Sequence, residues 1–180
     1  MGVSRSSIRE ALRYLESEGL IDSRGQKGMF VAVLSRTRAL EIYEVRAALE
    51  AEAARYFTER ASDKEIMSLR CAFDHIAAVA QQDPEDYGAA IDAFFEILFI
   101  SARNETAHTL MKKLRSRIHL LRYRTAQLAS KERIVDSVAQ MEKIVSALEE
   151  RDGEKAAVEC RRFVQRSAAF AAANLPEESH

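Results

Sequence analysis

Ser4, Arg5, Ser6, Ser7 and Arg9 crowd three hydroxyls and two guanidinium groups into six positions, with Ile8, Leu12 and Leu15 recurring at helical spacing on another face. Ser4 stands where an N-cap belongs, so the donors gather at the end of a helix whose free N–H groups and dipole favour anions. Small hydroxyls and arginines in that place suit a DNA major groove, where phosphate oxygens accept from them and Arg can bond guanine O6 and N7 bidentately.

Other chemistry-bearing residues lie further along. Arg46 precedes Glu50 by one turn. Its planar fork could hold the carboxylate of a ligand, or it could pair with Glu50, and the sequence leaves both open. Asp92 and Glu96 are also one turn apart, but no acid or base from a second helix is evident beside them. Without a Ser-His-Asp order, a P-loop or a dinucleotide-type glycine pattern, an enzyme is not expected. His75, His108 and His119 have no i, i+4 partner among themselves and read as satisfied surface or core histidines. Cys71 and Cys160 lack a CxxC or zinc-like spacing and read as buried, reduced thiols. The basic run from Lys112 to Arg124 alternates with Leu and Ile at helical spacing, which reads as a solvated or dimer-flanking face rather than a second nucleic-acid stripe.

The elements that must position these residues follow from periodicity and punctuation. Gly19 closes the first helix, and two short strands, 20–24 and 29–33, flank a basic Gly-Gln-Lys-Gly turn at 25–28. A polar linker at 34–38 leads into six predicted helices, near 38–60, 63–82, 84–102, 105–128, 131–151 and 153–173. Their starts are marked by a Ser62-to-Glu65 capping box, Asp83 before Pro84, Asn104, Ser130 and Asp152. The third of the six, carrying Phe94, Phe95, Ile97, Leu98, Phe99 and Ile100, is apolar nearly all round and is expected to be the buried central helix. The predicted fold is an all-α bundle of about six helices preceded by one helix and a β-hairpin, with a flexible tail at 174–180.

At 180 residues and 47% hydrophobic content the chain can bury a sizeable core. No stretch approaches eighteen uninterrupted apolar residues and no charged-then-apolar leader opens the sequence, so no membrane partner and a cytoplasmic location are expected. The net charge of −1 hides an asymmetry, because residues 1–38 hold seven Arg and Lys against four acids. A basic head on an acidic body fits a nucleic-acid module joined to another kind of module.

Three runs now carry a resemblance: Val3-Ser4-Arg5-Ser6-Ser7-Ile8-Arg9-Glu10-Ala11-Leu12, then Leu15-Glu16-Ser17-Glu18-Gly19-Leu20-Ile21, then Gly25-x-x-Gly28-x-Phe30-Val31. In order and spacing they resemble the winged helix-turn-helix of GntR-family transcription regulators. The resemblance implies that residues 1–33 are a partial winged helix-turn-helix. Ser4, Arg5, Ser6, Ser7 and Arg9 would then meet operator DNA, and Arg24, Lys27 and Gly28 would belong to a wing at the minor groove. Family members carry two further helices ahead of the recognition helix. Either the native protein is longer than this sequence, or the unit is a remnant with weakened DNA binding.

Residues 38–172 resemble, more loosely, the helical effector-sensing (FCD-type) domain of the FadR-like branch. The likeness lies in Glu44-Val45-Arg46-Ala47-Ala48-Leu49-Glu50, a phenylalanine-bearing helix ending at Asn104, and a last helix pair broken at Asp152-Gly153. It implies a homodimer with effector binding and dimerisation in 39–173. Many members of that branch hold a divalent metal with an Asp-x-x-Phe-His motif and two later histidines. Here Asp92 is followed by Glu96 at the histidine position, or Ile91 and Phe95 are the pair if Asn104 sets the register, and Met141 with Phe163 fall at the other two. Methionine and phenylalanine cannot replace imidazoles, so no metal cofactor is expected. What the resemblance then implies is an apolar pocket with Phe95, Met141 and Phe163, flanked by Asp92 and Glu96. It would suit a small organic effector with an apolar body and a carboxylate held by Arg46. The alternative is a small-molecule-binding and dimerisation module without DNA-binding activity.

Overall fold

A computed structural model of the chain describes residues 4–17, 19–23, 25, 28–32, 35–80 and 82–177. The first helix, α1, spans Arg5–Ser17. Its cap is the Ser4 hydroxyl, which accepts the Ser7 N–H at 3.2 Å and lies within 3 Å of the Ser6 and Ser7 hydroxyls. At the other end Gly19 adopts φ +69°, and the N–H groups of Gly19 and Leu20 donate to the Glu16 and Leu15 carbonyls, each at 2.9 Å. That closure needs a left-handed residue, which glycine supplies without a Cβ penalty.

Strands β1 (Ile21–Ser23) and β2 (Met29–Val31) pair antiparallel, with Ile21 opposite Val31 and Ser23 opposite Met29. Both strands are shorter than the sequence suggested, although the Ala32 N–H still donates to the Leu20 carbonyl at 2.9 Å. Gly25 and Gly28 of the turn have positive φ, while Arg24, Lys27 and Val33 lie outside the described residues.

Six helices follow: α2 (Arg36–Arg60), α3 (Asp63–Val79), α4 (Pro84–Ser101), α5 (Glu105–Leu128), α6 (Lys131–Glu149) and α7 (Gly153–Asn174). Each starts where a cap residue stands. Ser35, Ser62, Asp83, Asn104, Ser130 and Asp152 each accept backbone N–H groups of the first turn. Helix α2 begins at Arg36, inside the segment read as linker, because the Ser35 hydroxyl accepts from the Arg38 N–H.

The hub of the bundle is α2, which packs on α4, α5, α6 and α7, rather than α4 as expected. Ala39, Ala51, Ala53 and Ala54 on α2, with Ala156 and Ala157 on α7, are buried, and such small side chains let two helices come close. Helix α4 buries a broad face, but Ile100 is 53% exposed. After α7 the chain is tied back, since Leu175 is buried, the Arg36 N–H donates to the Pro176 carbonyl at 2.9 Å and Arg36 pairs with Glu177. The expected flexibility of the tail therefore meets fixed contacts at 175–177, and 178–180 lie outside the described residues.

The α3 capping box yields a pH prediction. The Ser62 N–H and hydroxyl, aided by Arg103, hold the Glu65 carboxyl at a pKa of about 2, against an ordinary 4.5. A depressed folded-state pKa contributes stability above pH 4.5 that is lost as the pH falls toward 2. Thermal melts of Glu65→Gln should show a flatter stability–pH curve across that window than the parent, with a lower plateau at neutral pH.

Candidate functional site

A cavity of about 60 Å³ opens where α2, α4, α5, α6 and α7 converge. Tyr43 and Arg46 come from α2, Tyr87, Gly88 and Ile91 from α4, and Arg122, Thr125 and Ala126 from α5. Ala129 just after α5, Arg133, Ile134 and Ser137 of α6, and Phe163, Ser167 and Phe170 of α7 complete it. The lining holds three arginines and no carboxylate. The Tyr87 hydroxyl donates to Ser137 Oγ at 3.0 Å, tying α4 to α6 across the space.

Two acids sit behind this lining and hold its floor. Glu50, fully buried, accepts Arg46 Nε at 2.7 Å and Arg46 Nη2 at 3.4 Å, and its Oε1 lies 3.7 Å from Arg122 Nη2. Of the two readings of Arg46, the Glu50 pair is thus present, and the same side chain also lines the cavity. Burial works against the Arg46 charge, but the Glu50 carboxylate outweighs it and the pKa is raised. Arg122 pairs in addition with Asp92 Oδ1 and stacks its guanidinium 5.1 Å from the Phe95 ring centroid. Burial first, and then the Arg46 charge, pull the Arg122 pKa down to about 9, which leaves it charged at neutral pH. Arg133 differs, because its guanidinium donates to the Arg166 carbonyl at 3.2 Å and lies over the Phe170 ring, with no carboxylate within 4.0 Å among the described residues. Desolvation and the nearby Arg166 charge lower its pKa.

The residues expected to bind an effector divide. Arg46 and Phe163 line the inner cavity, whereas Asp92, Phe95 and Glu96 face a separate cleft of about 40 Å³ between α4 and α5. A wall of rings joins the two spaces, with Phe95 and Phe163 centroids 6.0 Å apart. Met141 is fully buried in the core and lines neither. The donor set does not suit a divalent metal: Asp92 gives one oxygen to Arg122 and the other to His119 at 2.7 Å, Glu96 meets His108 at 3.1 Å, and a guanidinium already fills the cationic role. Among the described residues no three His, Cys, Asp or Glu side chains come together.

Several side chains here were missed in the sequence. Arg122 was assigned to a solvated basic face, yet it is buried, unlike its neighbours Lys112, Lys113, Arg115 and Arg124. A signal existed, since Arg122 follows Ile118 by one turn and so falls on the apolar stripe of α5. Of the two cysteines, Cys160 is buried as expected, but Cys71 is exposed because it lies off the Leu69, Phe73 and Ile76 face of α3.

At the other end of the chain, Ser4, Arg5, Ser6, Ser7, Arg9 and Gly28 are all exposed. Helix α1 buries no residue, with Ile8 49% and Tyr14 65% exposed. It meets the bundle at Gly19, where the Arg117 guanidinium of α5 lies in the space a Cβ would take. Leu20 also shares an open cleft with Ser116, His119, Leu120 and Tyr123 of that helix. Among the described residues no helix is long and apolar enough to cross a membrane.

Comparison with known proteins matches these two parts separately. Residues 1–31 match the family model of bacterial regulatory proteins, gntR family, and residues 41–166 match the FCD domain. The chain is 44% identical over 68 residues to the Nta operon transcriptional regulator of Aminobacter aminovorans, covering 38% of this chain and 32% of that protein. It is 26% identical over 153 residues to the HTH-type transcriptional repressor RspR of Escherichia coli, covering 84% of this chain and 66% of that protein. The sequence thus spans about a third to two thirds of the curated relatives it matches. Among solved structures, E. coli McbR/YncC superposes with a TM-score of 0.81 at 15% identity, over 94% of this chain and 85% of that one. A putative transcriptional regulator GntR from Rhodococcus sp. RHA1 gives 0.75 at 20% identity, over 93% and 79%. These likenesses show the shared fold. With the FCD domain matching over most of its length and the gntR pattern over its first residues, the chain belongs to the GntR family of bacterial transcriptional regulators.

Proposed function

We propose that this chain is a ligand-responsive, DNA-binding transcription regulator that works as a homodimer in the cytoplasm. Residues 1–33 would read operator DNA, with Ser4, Arg5, Ser6, Ser7 and Arg9 in the major groove and Arg24, Lys27 and Gly28 at the wing. Residues 39–173 would dimerise and bind a small organic effector. The observation that carries this reading is the exposed donor cluster at the N-terminal end of α1, joined through the Gly19–Arg117 contact to α5, which also lines the cavity. An effector that moves α5 would shift the two recognition helices of a dimer relative to their half-sites.

The test is a gel-shift titration on duplexes selected from a random pool. Arg5→Ala and Arg9→Ala are each expected to weaken binding by about 1–3 kcal/mol at fixed salt, and affinity should fall as salt rises. Parental affinity in both variants would remove α1 as the reading element. A second reading, a small-molecule-binding and dimerisation module without DNA activity, is favoured by one observation: α1 buries none of its residues. It predicts dimerisation with no salt-dependent DNA binding.

A further inference from the structure

We infer that the outer face of α5 is a second nucleic-acid surface, on which Lys113 and Arg124 hold the phosphates of duplex DNA flanking the site that α1 would read. The inference rests on the DNA-binding reading of α1 and extends it to a helix of the bundle.

Charge points to a polyanion. Helix α5 carries six Lys and Arg against the single acid Glu105, whereas residues 39–104 and 129–180 hold 23 acids against 14 bases. The six divide by contact. Arg122 is buried against Asp92 and Glu50, and Arg115 lies 3.9 Å from Glu96. Lys112, Lys113 and Arg124 are exposed, and among the described residues none of them has a carboxylate within 4.0 Å. The helix dipole does not account for them, since the last turn of α5 holds no basic residue. A row of phosphates supplies the counter-charge that the described chain does not.

Position points to DNA. At 3.6 residues per turn, Lys113, Arg117 and Arg124 fall within about 40° of one another around the helix axis, so they form one line. The middle of that line meets the reading unit, where the Arg117 guanidinium lies in the space a Cβ on Gly19 would take. Gly19 closes α1, whose other end presents Ser4, Arg5, Ser6, Ser7 and Arg9 to solvent. Lys113 and Arg124 thus stand on either side of the junction, about 16 Å apart along the helix at about 1.5 Å per residue. That separation matches about five steps of a DNA strand at about 3.4 Å each. A lipid surface fits less well, because the exposed large apolar residues of α5 are Leu110 and Leu128, too few to seat a helix in a membrane interface.

The test titrates the full chain with a duplex selected from a random pool, either cut to the selected core or carrying one further helical turn on each side. The parent is expected to bind the longer duplex about tenfold more tightly at fixed salt. Lys113→Ser combined with Arg124→Ser should lose that gain and keep the parental affinity for the core. On the longer duplex it should also flatten the slope of log affinity against log salt by about 2. Lys113→Arg combined with Arg124→Lys should keep the gain, and sedimentation mass and melting temperature should stay parental throughout. The proposal is overturned by no binding to either duplex, by equal parental affinity for the two, or by a gain that survives in the folded serine variant. A fall in sedimentation mass of that variant, which would make the face a subunit contact, also overturns it, as does tighter binding to phosphatidylserine vesicles than to the longer duplex. The outcome separates from that of α1. Core binding that depends on Arg5 and Arg9 without a flanking gain keeps α1 and removes α5, and a gain lost in the serine variant while Arg5→Ala and Arg9→Ala bind as the parent does the reverse.

Discussion

Glu50→Ala is expected to lower the stability of the chain by about 3–5 kcal/mol in urea unfolding, among the largest effects available to a single substitution here. The reason is geometric. Glu50 is fully buried and stands between two guanidinium groups, bonding Arg46 at 2.7 Å and lying 3.7 Å from Arg122. Removing the carboxylate strands the Arg46 charge in the core and leaves Arg122 with Asp92 alone, while the two cations repel one another across the space it vacates. A double variant, Arg46→Met with Glu50→Leu, removes charge and countercharge together and should be markedly more stable than Glu50→Ala, because a buried ion pair is offset by its own desolvation. If the double variant were the less stable of the two, the contact of the Arg46 guanidinium with the Tyr43 ring, 5.2 Å from its centroid, would outweigh the Glu50 pair in holding this part of the core.

What the sequence disclosed and what it hid divide along a physical line. Helix boundaries depend on caps, and caps are local: Ser62 with Glu65, Asp83 before Pro84, and Asp152 before Gly153 announced α3, α4 and α7 to within a few residues. The hairpin was equally local, since Gly25 and Gly28 supply the positive φ its turn demands. The donor cluster on α1 was readable because exposure and an N-cap need no partner to be recognised. The cavity was not readable in that way. Its lining comes from five helices, and no spacing along one of them states that Arg46, Arg122 and Arg133 face a common space. Arg122 could have been recovered from its place one turn after Ile118, but charge argued for solvent, and only the presence of Asp92 and Glu50 on neighbouring helices makes its burial affordable. Met141 illustrates the opposite error: a position counted along the chain from Asp152 pointed to a pocket, whereas packing directs that side chain into the core.

The second large effect expected is at Phe94, where substitution by alanine should destabilise the chain by about 3–5 kcal/mol, and by leucine, closer in volume, by less. Phe94 is completely buried and meets Phe95 edge to face, with centroids 5.3 Å apart and planes at 84°. Phe95 in turn leans on Phe163 and carries the Arg122 guanidinium 5.1 Å from its centroid. The void left by alanine therefore opens beside the ring that supports the charged floor of the cavity, on the same helix that presents Asp92 to Arg122. Urea titration checks the stability loss. The ring shift of Phe95 should also appear in the NMR signals of Phe163 and Arg122 in the folded variant, because aromatic packing and charge placement share one wall. If those signals stay at their parental positions while stability falls, Phe94 supports only the core, and the cavity is held instead by the hydroxyl bridge from Tyr87 to Ser137 and by the Glu50 pair.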